Sequence, residues 1–183
     1  MYLRFTSAEI EALKPSLPKI AYLATNTAGG QIHFWTDSDS LAIQVQLTHA
    51  VDLSQMTRSG QGGFDCYIGT HFKNLQFIDC ARLEHRSTQY QQTFSEGIPG
   101  KKLIVLHFPL YTGVQSLQIG LCPQAWVKPA KSFPVNKRIV VYGTSIAQGG
   151  CASRPGLSYL NWLSRRMKRD RKSTRLNSSH GKL

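Results

Sequence analysis

Short apolar segments separated by turn residues fill most of this chain, and they constrain its fold more than any other feature. Residues 41–47 alternate between apolar and polar side chains, which is the period of a half-buried β-strand. Comparable segments recur about every 8–12 residues, as in all-β proteins. They are residues 64–68, 71–78, 81–86, 89–94, 102–108 and 114–121, with turn signals at 37–40, 58–63 and 97–100. This pattern predicts an antiparallel β-sandwich resembling a jelly roll.

The N-terminus predicts one short helix before the first strand. Residues 7–13 suit a helix because Ser7 can cap it and an acidic residue lies in its first turn. Pro15 and Pro18 are expected to end this helix, and strands are expected from Ile20 onward.

The second part of the chain follows a different pattern. Residues 123–136 contain three prolines and little periodicity, which is typical of a linker. Residues 139–142 are continuously apolar, as in a parallel strand covered on both faces. A loop of small residues at 143–150 and a helix at about 156–169 follow, with Pro155 at the helix entry. A strand, a loop and a helix in this order predict the opening unit of a three-layer α/β domain.

Composition and charge exclude two classes of function. The formal net charge is +12, but residues 170–183 supply +3 of it and the remaining +9 is spread along the chain. Without a dense basic surface we expect no nucleic-acid partner. No apolar run approaches the length of a membrane span, and residues 1–10 lack the apolar core of a signal peptide. We therefore expect a cytoplasmic protein with no membrane partner.

The last residues do not look like natural protein sequence. Residues 170–180 read Asp-Arg-Lys-Ser-Thr-Arg-Leu-Asn-Ser-Ser-His, which matches a translated sequencing adapter residue for residue. We therefore expect natural sequence only to about Arg169. The expected divisions are a sandwich domain at 1–122, a linker at 123–136, the incomplete start of an α/β domain at 137–169, and an artefact at 170–183.

The four cysteines give no sign of a disulfide or metal site. Cys66, Cys80, Cys122 and Cys151 lie far apart, and no Cys-x-x-Cys pair occurs. Such spacing favours buried free thiols.

Ser145 is the candidate nucleophile. It follows the apolar run 139–142 at a strand-to-helix turn, where free N–H groups at a helix start can stabilise an oxyanion. Gly143 permits a tight turn and leaves room for substrate. The pattern is also compatible with an ordinary polar loop, since Ala147 leaves the Gly-x-Ser-x-Gly elbow incomplete.

Three motifs in order resemble those of the SGNH (GDSL-like) serine hydrolases. Residues 142–156 resemble the first motif block of the family, in the bacterial branch where Ser-Arg-Pro-Gly follows the nucleophile, although Thr144 replaces the name-giving Asp. That branch carries an N-terminal β-sandwich named for a Gly-x-Asp-Leu-Tyr motif, and residues 63–67 match it with Cys66 in the Leu position. Residues 108–120 resemble the late-strand pattern of the same sandwich.

The resemblance implies an esterase. Ser145 would attack an ester carbonyl, its backbone N–H would form part of the oxyanion hole, and no metal or organic cofactor would be needed. O-acetyl groups of carbohydrates are the substrates that the family suggests. Family members complete the site with a Gly-x-Asn-Asp block and an Asp-x-x-His block, and neither occurs in this chain. We therefore expect the chain as written to be inactive.

Three further residues have two possible roles each. Asp65 and Tyr67 could line a cleft between the two domains and bind a sugar, or Asp65 could bond to backbone N–H groups in a turn while Tyr67 packs. Arg154 could hold the nucleophile loop through carbonyl groups, or neutralise an acid in the part of the α/β domain that is expected to be absent. The predicted sandwich contains five histidines that we expect to be structural: His33, His49, His71, His85 and His107.

A competing class of function is a non-catalytic β-sandwich that binds carbohydrate or a partner protein. Labelling of Ser145 by a serine-directed probe would separate an enzyme from such a module. The sequence does not predict an oligomeric state.

Overall fold

The computed structural model describes residues 3, 5–130, 141 and 143–167. Its strands form two antiparallel sheets that pack face to face, which confirms the predicted β-sandwich. The strands are β1 (Gln31–Thr36), β2 (Leu41–Leu47), β3 (Asp65–Gly69), β4 (Gln76–Cys80), β5 (Gln89–Ser95), β6 (Lys102–His107), β7 (Val114–Leu121) and β8 (Val127–Pro129). The helices are α1 (Ser7–Leu13), α2 (Pro18–Ala24), α3 (Arg58–Gly62), α4 (Ser145–Gln148) and α5 (Tyr159–Met167), with a 3₁₀ turn at Pro155–Leu157.

The chain passes back and forth between the two sheets. The five-stranded sheet has the order β4-β3-β6-β1-β8, and the three-stranded sheet has the order β5-β2-β7. Strands β1 and β2 are consecutive in sequence but lie in opposite sheets, and so do β6 and β7. The inner faces of both sheets therefore enclose one shared core.

Alternation along the strands decides which side chains enter this core. In β2 every second residue is buried, as the sequence predicts, and Gln44 and Gln46 take the outer face. All six residues of β6 are buried, because both faces of that strand are covered. The largest fully buried apolar side chains include Phe64, Leu41, Ile43, Leu47, Ile104 and Leu106.

The N-terminal region contains two helices rather than one. Helix α1 has the predicted bounds, but its cap is Thr6 and not Ser7. Thr6 Oγ1 accepts a hydrogen bond from the Glu9 N–H at 3.3 Å, and the Thr6 N–H donates to Glu9 Oε2 at 2.7 Å. Pro18 begins α2 instead of only ending α1, because its fixed φ suits the first turn of a helix. Strands therefore start later than expected from Ile20.

Two predicted strands differ from those in the structure. The strand expected at 71–78 begins at Gln76, because Asn74 Oδ1 accepts from the N–H groups of Thr70 and His71 and holds a turn. Residues 81–86 form no strand.

Other strand predictions have mixed outcomes. Residues 114–121 form a strand with the predicted bounds. The turn expected at 58–63 is a short helix, α3, capped by Thr57. Strand β1 was not among the predicted strands.

Part of the segment expected as a linker pairs with the sandwich. Val127–Pro129 is β8, which lies antiparallel to β1. The rest of that segment, from residue 131, lies outside the described residues. So do residues 168–183 and the expected strand at 139–142, of which only Val141 is described.

The helix expected at about 156–169 is divided into the 3₁₀ turn and α5. Leu160 from its apolar stripe is buried. No helix within the described ranges has the length and apolar character that a bilayer crossing requires.

All four cysteines are free. The prediction of buried thiols is confirmed for Cys66 and Cys80, but Cys122 is only half-buried and Cys151 is exposed.

Candidate active site

Ser145 is exposed and begins the single turn of α4. The turn ends at Gly149, whose φ of 103° lies in the left-handed region that favours glycine. Before it, a Cβ on Gly143 would lie only 2.7 Å from the Cβ of Ala147, so a side chain there would push the turn open. Thr144 occupies the N-cap position without a side-chain hydrogen bond. The hydroxyl of Ser145 thus stands on a tight, solvent-accessible turn.

The loop that follows β6 holds the backbone of this turn. Tyr111 Oη donates a hydrogen bond to the carbonyl oxygen of Ser145 at 3.3 Å. The side-chain amide of Gln148, which is buried, donates to the Leu110 carbonyl at 2.7 Å. The N–H of Gly150 also reaches the Ser145 carbonyl, at 2.8 Å. The nucleophile candidate is therefore supported through its main chain while its hydroxyl stays free of these bonds.

Helix α3 supplies a second support. Thr57 Oγ1 accepts a hydrogen bond from the Gly60 N–H at 3.1 Å, which caps the helix, and donates to the Ser153 carbonyl at 2.5 Å. A Cβ on Gly60 would overlap the carbonyl oxygen of Ala152. Glycine at this position lets the helix approach the segment after the candidate nucleophile.

A buried ion pair joins β3 to the same segment. Arg154 Nη1 lies 2.5 Å from Asp65 Oδ2 and also donates to Tyr67 Oη at 2.7 Å. The N–H of Gly156 donates to the same carboxylate oxygen at 2.7 Å. The side chain of Asp65 is 0% exposed, whereas that of Arg154 is 20% exposed. A Cβ on Gly156 would overlap both Asp65 Oδ2 and Tyr67 Oη.

The charges of this pair depend on each other. Burial raises the pKa of Asp65, against the opposing influence of the Cys80 thiol, the Arg154 guanidinium and the Gly156 N–H. Burial also works to lower the pKa of Arg154, but its bond to Tyr67 and the charge of Asp65 outweigh this, and the pKa is raised. A carboxylate in such a place is tolerated only with its partner.

Two neighbouring strands extend the contact. Asp65, His107 and Gln31 lie side by side across β3, β6 and β1. His107 Nε2 lies 3.2 Å from Arg165 Nη1, and the Gln31 amide donates to Asn161 Oδ1 at 3.3 Å. Each of the three strands therefore presents at least one polar side chain to residues 154–165.

Aromatic rings complete the contact surface. The guanidinium of Arg154 lies 3.6 Å from the ring centroid of Phe77, and that of Arg165 lies 4.3 Å from the centroid of Tyr67. Arginine above an aromatic face is stabilised by the ring quadrupole, more so where water is excluded. The outer face of the five-stranded sheet is thus shaped to receive two arginines.

The structure brings together three of the candidates that the sequence singles out. Asp65 does bond to a backbone N–H, but it lies in β3 and not in a turn. Arg154 does neutralise an acid, but that acid is Asp65 of the sandwich and not one in the part expected to be absent. Tyr67 joins both residues, so all three belong to one contact between the sandwich and the segment after Ser145.

Ser145 makes no hydrogen bond to this ion pair within the described residues. In the part of the chain that the structure describes, no hydrogen bond joins its hydroxyl to a histidine or a carboxylate. Tyr111 and Gln148 support its turn, and Thr57 holds the Ser153 carbonyl. These roles were not predicted, because no local pattern shows which distant loops meet.

Family comparisons match both parts of the chain. Residues 1–127 match the GxDLY family, described as the N-terminus of SGNH-hydrolase-type esterases. Residues 136–172 match the GDSL-like lipase/acylhydrolase family. No curated protein is similar enough to count as a match.

Two solved structures share the fold. A protein of Bacteroides ovatus ATCC 8483, provisionally described as a GDSL-like lipase, is 30% identical with a TM-score of 0.85 over 96% of this chain. This chain spans 50% of the length of that protein. The salicylyl-acyltransferase SsfX3 from a tetracycline biosynthetic pathway is 18% identical with a TM-score of 0.71, over 94% of this chain and 46% of its own. That second likeness shows the fold alone.

A hydrolase of the esterase type is the function that these families support. Because the first match covers well over half of the sequence, this chain belongs to the GxDLY family of SGNH-type esterases.

Proposed function

We propose that Ser145 is the nucleophile of a serine esterase that hydrolyses carboxylic esters, with O-acetyl groups of carbohydrates as its substrates. One observation carries the proposal: an exposed serine lies on a tight turn whose main chain is fixed by Tyr111 and Gln148. A nucleophile held in this way loses little freedom when the substrate arrives. Membership of an esterase family supports the same reaction class.

The chemistry would proceed in two steps. Ser145 Oγ attacks the ester carbonyl carbon while its proton passes to a base, and the C–O bond to the alcohol breaks as the departing oxygen takes up that proton. Water then attacks the acyl-serine, releasing the carboxylic acid and restoring the hydroxyl. The N–H of Ser145 is among the first of α4 and has no acceptor within that helix, so it is available to the negative oxygen of each intermediate.

The base is the part that this sequence does not supply. No Asp-x-x-His occurs in the 183 residues. Loss of the base in a well-studied serine protease lowers kcat on the order of 10⁶-fold. We therefore expect the chain by itself to hydrolyse esters on the order of 10⁶-fold more slowly than an enzyme that has the base.

A chimaera tests the role of Ser145. Residues 1–167 would be joined to the C-terminal half of the Bacteroides ovatus relative, which has the same fold over the shared part. A fluorophosphonate probe should label Ser145, as mapped by peptide mass spectrometry, and the chimaera should release acetate from acetylated xylan. Ser145→Ala should abolish both signals.

The matched control is Ser153→Ala, which removes another exposed serine of the same loop. It should leave labelling and acetate release unchanged. A chimaera that is folded by circular dichroism but unlabelled at Ser145 would contradict the nucleophile. A labelled chimaera that cleaves p-nitrophenyl acetate but not acetylated xylan would contradict only the carbohydrate substrate.

A further inference from the structure

The outer face of the three-stranded sheet contains a shallow groove, and Ser145 is not among the residues that line it. We call it the glutamine groove, and its polar lining consists of Gln44 and Gln46 from β2, Gln89 and Gln91 from β5, and Ser116 and Gln118 from β7. The groove has two adjoining parts of about 380 and 340 Å³, which share three of these glutamines. Small-molecule sites occupy about 300–1,000 Å³, so either part is large enough for a ligand.

The strand register aligns the amides in rows. Gln44 lies between Gln91 and Gln118, and in the adjacent row Gln46 lies between Gln89 and a serine. Neighbouring strands are about 4.8 Å apart, so amides in one row can contact the same ligand. The next row is formed by small side chains at Ala42, Thr93 and Gly120, which deepen that end. From residue 42 to residue 46 the groove is about 14 Å long, at about 3.4 Å per residue.

The amides of this groove have unused hydrogen-bonding capacity. The side chains of Gln44, Gln91 and Gln118 bond to no described group of the protein. Gln46 is different, because its amide donates to the carbonyls of Leu47 and Thr88 and is thereby fixed. Each unused amide offers two donors and one acceptor, which is the combination that vicinal hydroxyl groups require.

The charge of the groove narrows the class of ligand further. No carboxylate, ammonium, guanidinium or imidazole group lines either part, although the whole chain carries a net charge of +12. A polyanion or a charged peptide would find no countercharge here. Apolar partners are equally disfavoured, because the outward side chains are mostly amides and hydroxyls.

We propose that the glutamine groove binds a neutral oligosaccharide. It lies on the opposite side of the sandwich from the face that contacts residues 154–165, so occupation of the groove leaves the segment around Ser145 uncovered. The site therefore holds a glycan independently of any chemistry at Ser145. Because the groove is shallow and binds without an aromatic platform, we expect a Kd on the order of 1 mM for a short oligosaccharide.

Affinity electrophoresis of the full 183-residue chain tests this site. Native gels would contain arabinoxylan, galactomannan or mixed-linkage β-glucan as neutral polysaccharides, and polygalacturonate as the anionic comparison. At least one neutral polysaccharide should retard the chain. The double variant Gln44→Ala/Gln118→Ala should lose this retardation, and titration calorimetry with an oligosaccharide of the same polymer should show Kd raised at least ten-fold.

The matched control is Gln55→Ala, an exposed glutamine in the loop before α3. It should be retarded like the original chain. Since all three glutamines are exposed, the variants should keep the original circular dichroism spectrum and melting temperature.

Four outcomes would overturn the glycan site. They are absence of retardation in every neutral gel, equal retardation of the double variant, retardation only by polygalacturonate, and a change in oligomeric state on sedimentation without any effect of sugar. The last outcome would make this face a contact between copies of the chain. Loss of glycan binding with Ser145 labelling of the chimaera intact would remove this site and leave the proposed esterase standing.

Discussion

The two outer faces of the sandwich are both made from antiparallel strands, but one carries a buried ion pair and the other carries uncharged side chains. The face of the five-stranded sheet carries Asp65, Tyr67 and His107, and residues 154–165 cover it. The face of the three-stranded sheet carries glutamines, and nothing in the described chain covers it. Alternation in a strand fixes only the side to which a residue points. The segment that covers that side decides whether a charge can remain there.

This difference explains how the sandwich holds the segment that carries the proposed nucleophile. Its covered face binds the segment after Ser145 through a buried ion pair, while Tyr111 and Leu110 hold the turn of Ser145 itself. The open face makes no such contact and is free for a ligand. Substitutions on the covered face should therefore lower stability strongly, and equivalent substitutions on the open face should not.

The largest effect is expected from Arg154→Met. The substitution leaves the carboxylate of Asp65 buried without its cation, and breaking a buried pair from one side costs about 3–5 kcal/mol. Asp65→Asn should cost less, since an amide oxygen can still accept from Arg154 and Gly156, and since Arg154 is 20% exposed. Urea unfolding followed by circular dichroism measures both losses.

Arg82→Met is the control, because this arginine is exposed and outside the contact. Its free energy of unfolding should stay within about 0.5 kcal/mol of the original. In the double variant Asp65→Asn/Arg154→Met, part of the loss should be recovered, because no carboxylate remains unpaired. A loss from Arg154→Met no larger than that from Arg82→Met would show that the two faces do not differ in this way.

A pair of glycine substitutions compares the faces directly. In Gly156→Ala the new methyl group would collide with Asp65 and Tyr67, so we expect a loss of about 1–3 kcal/mol. In Gly120→Ala, on the open face, the new Cβ would meet Ala42 at an ordinary 3.6 Å. That variant should be more stable by about 0.4–1 kcal/mol, because alanine restricts the unfolded chain. Equal melting temperatures for the two variants would contradict the close fit at Gly156.

Sequence patterns predicted side-chain burial better than strand pairing. Residues 114–121 became a strand as expected, and residues 41–47 show the expected alternation. Residues 81–86 were predicted as a strand from the regular spacing of such segments. Ala81 and Leu83 alternate there with polar neighbours, and both are buried. They are buried as part of a loop, so their alternation did not mean that the segment pairs with a neighbouring strand.

The candidate site was predictable only where its residues are close in sequence. The turn at Ser145 depends on Gly143 and Gly149, which lie within a few residues of it. The pair of Asp65 and Arg154 joins residues 89 positions apart, and its partner choice depends on how the chain crosses the sheet. No local pattern encodes such a distance, which is why the acid neutralised by Arg154 was not identified in advance.

The smallest expected effect is a dependence on pH that belongs to Asp65. Burial raises the pKa of Asp65 in the folded chain above its ordinary value of 3.8. The folded state then holds this proton more tightly than the unfolded state. The contribution of Asp65 to stability is therefore fully present below about pH 4 and is lost as pH rises through the raised pKa.

Urea unfolding of the original chain and of Asp65→Asn, measured at several pH values from about 3.5 to 7, isolates this contribution, since all other acids are common to both. The stability advantage of the original chain over Asp65→Asn should become smaller as pH increases. A difference that instead grows in favour of the original chain would mean that Arg154, Gly156 and Cys80 stabilise the carboxylate by more than burial opposes it. The charge of Asp65 would then stabilise the folded chain. The two faces would differ because one gains stability from a charge, and not because one merely tolerates it.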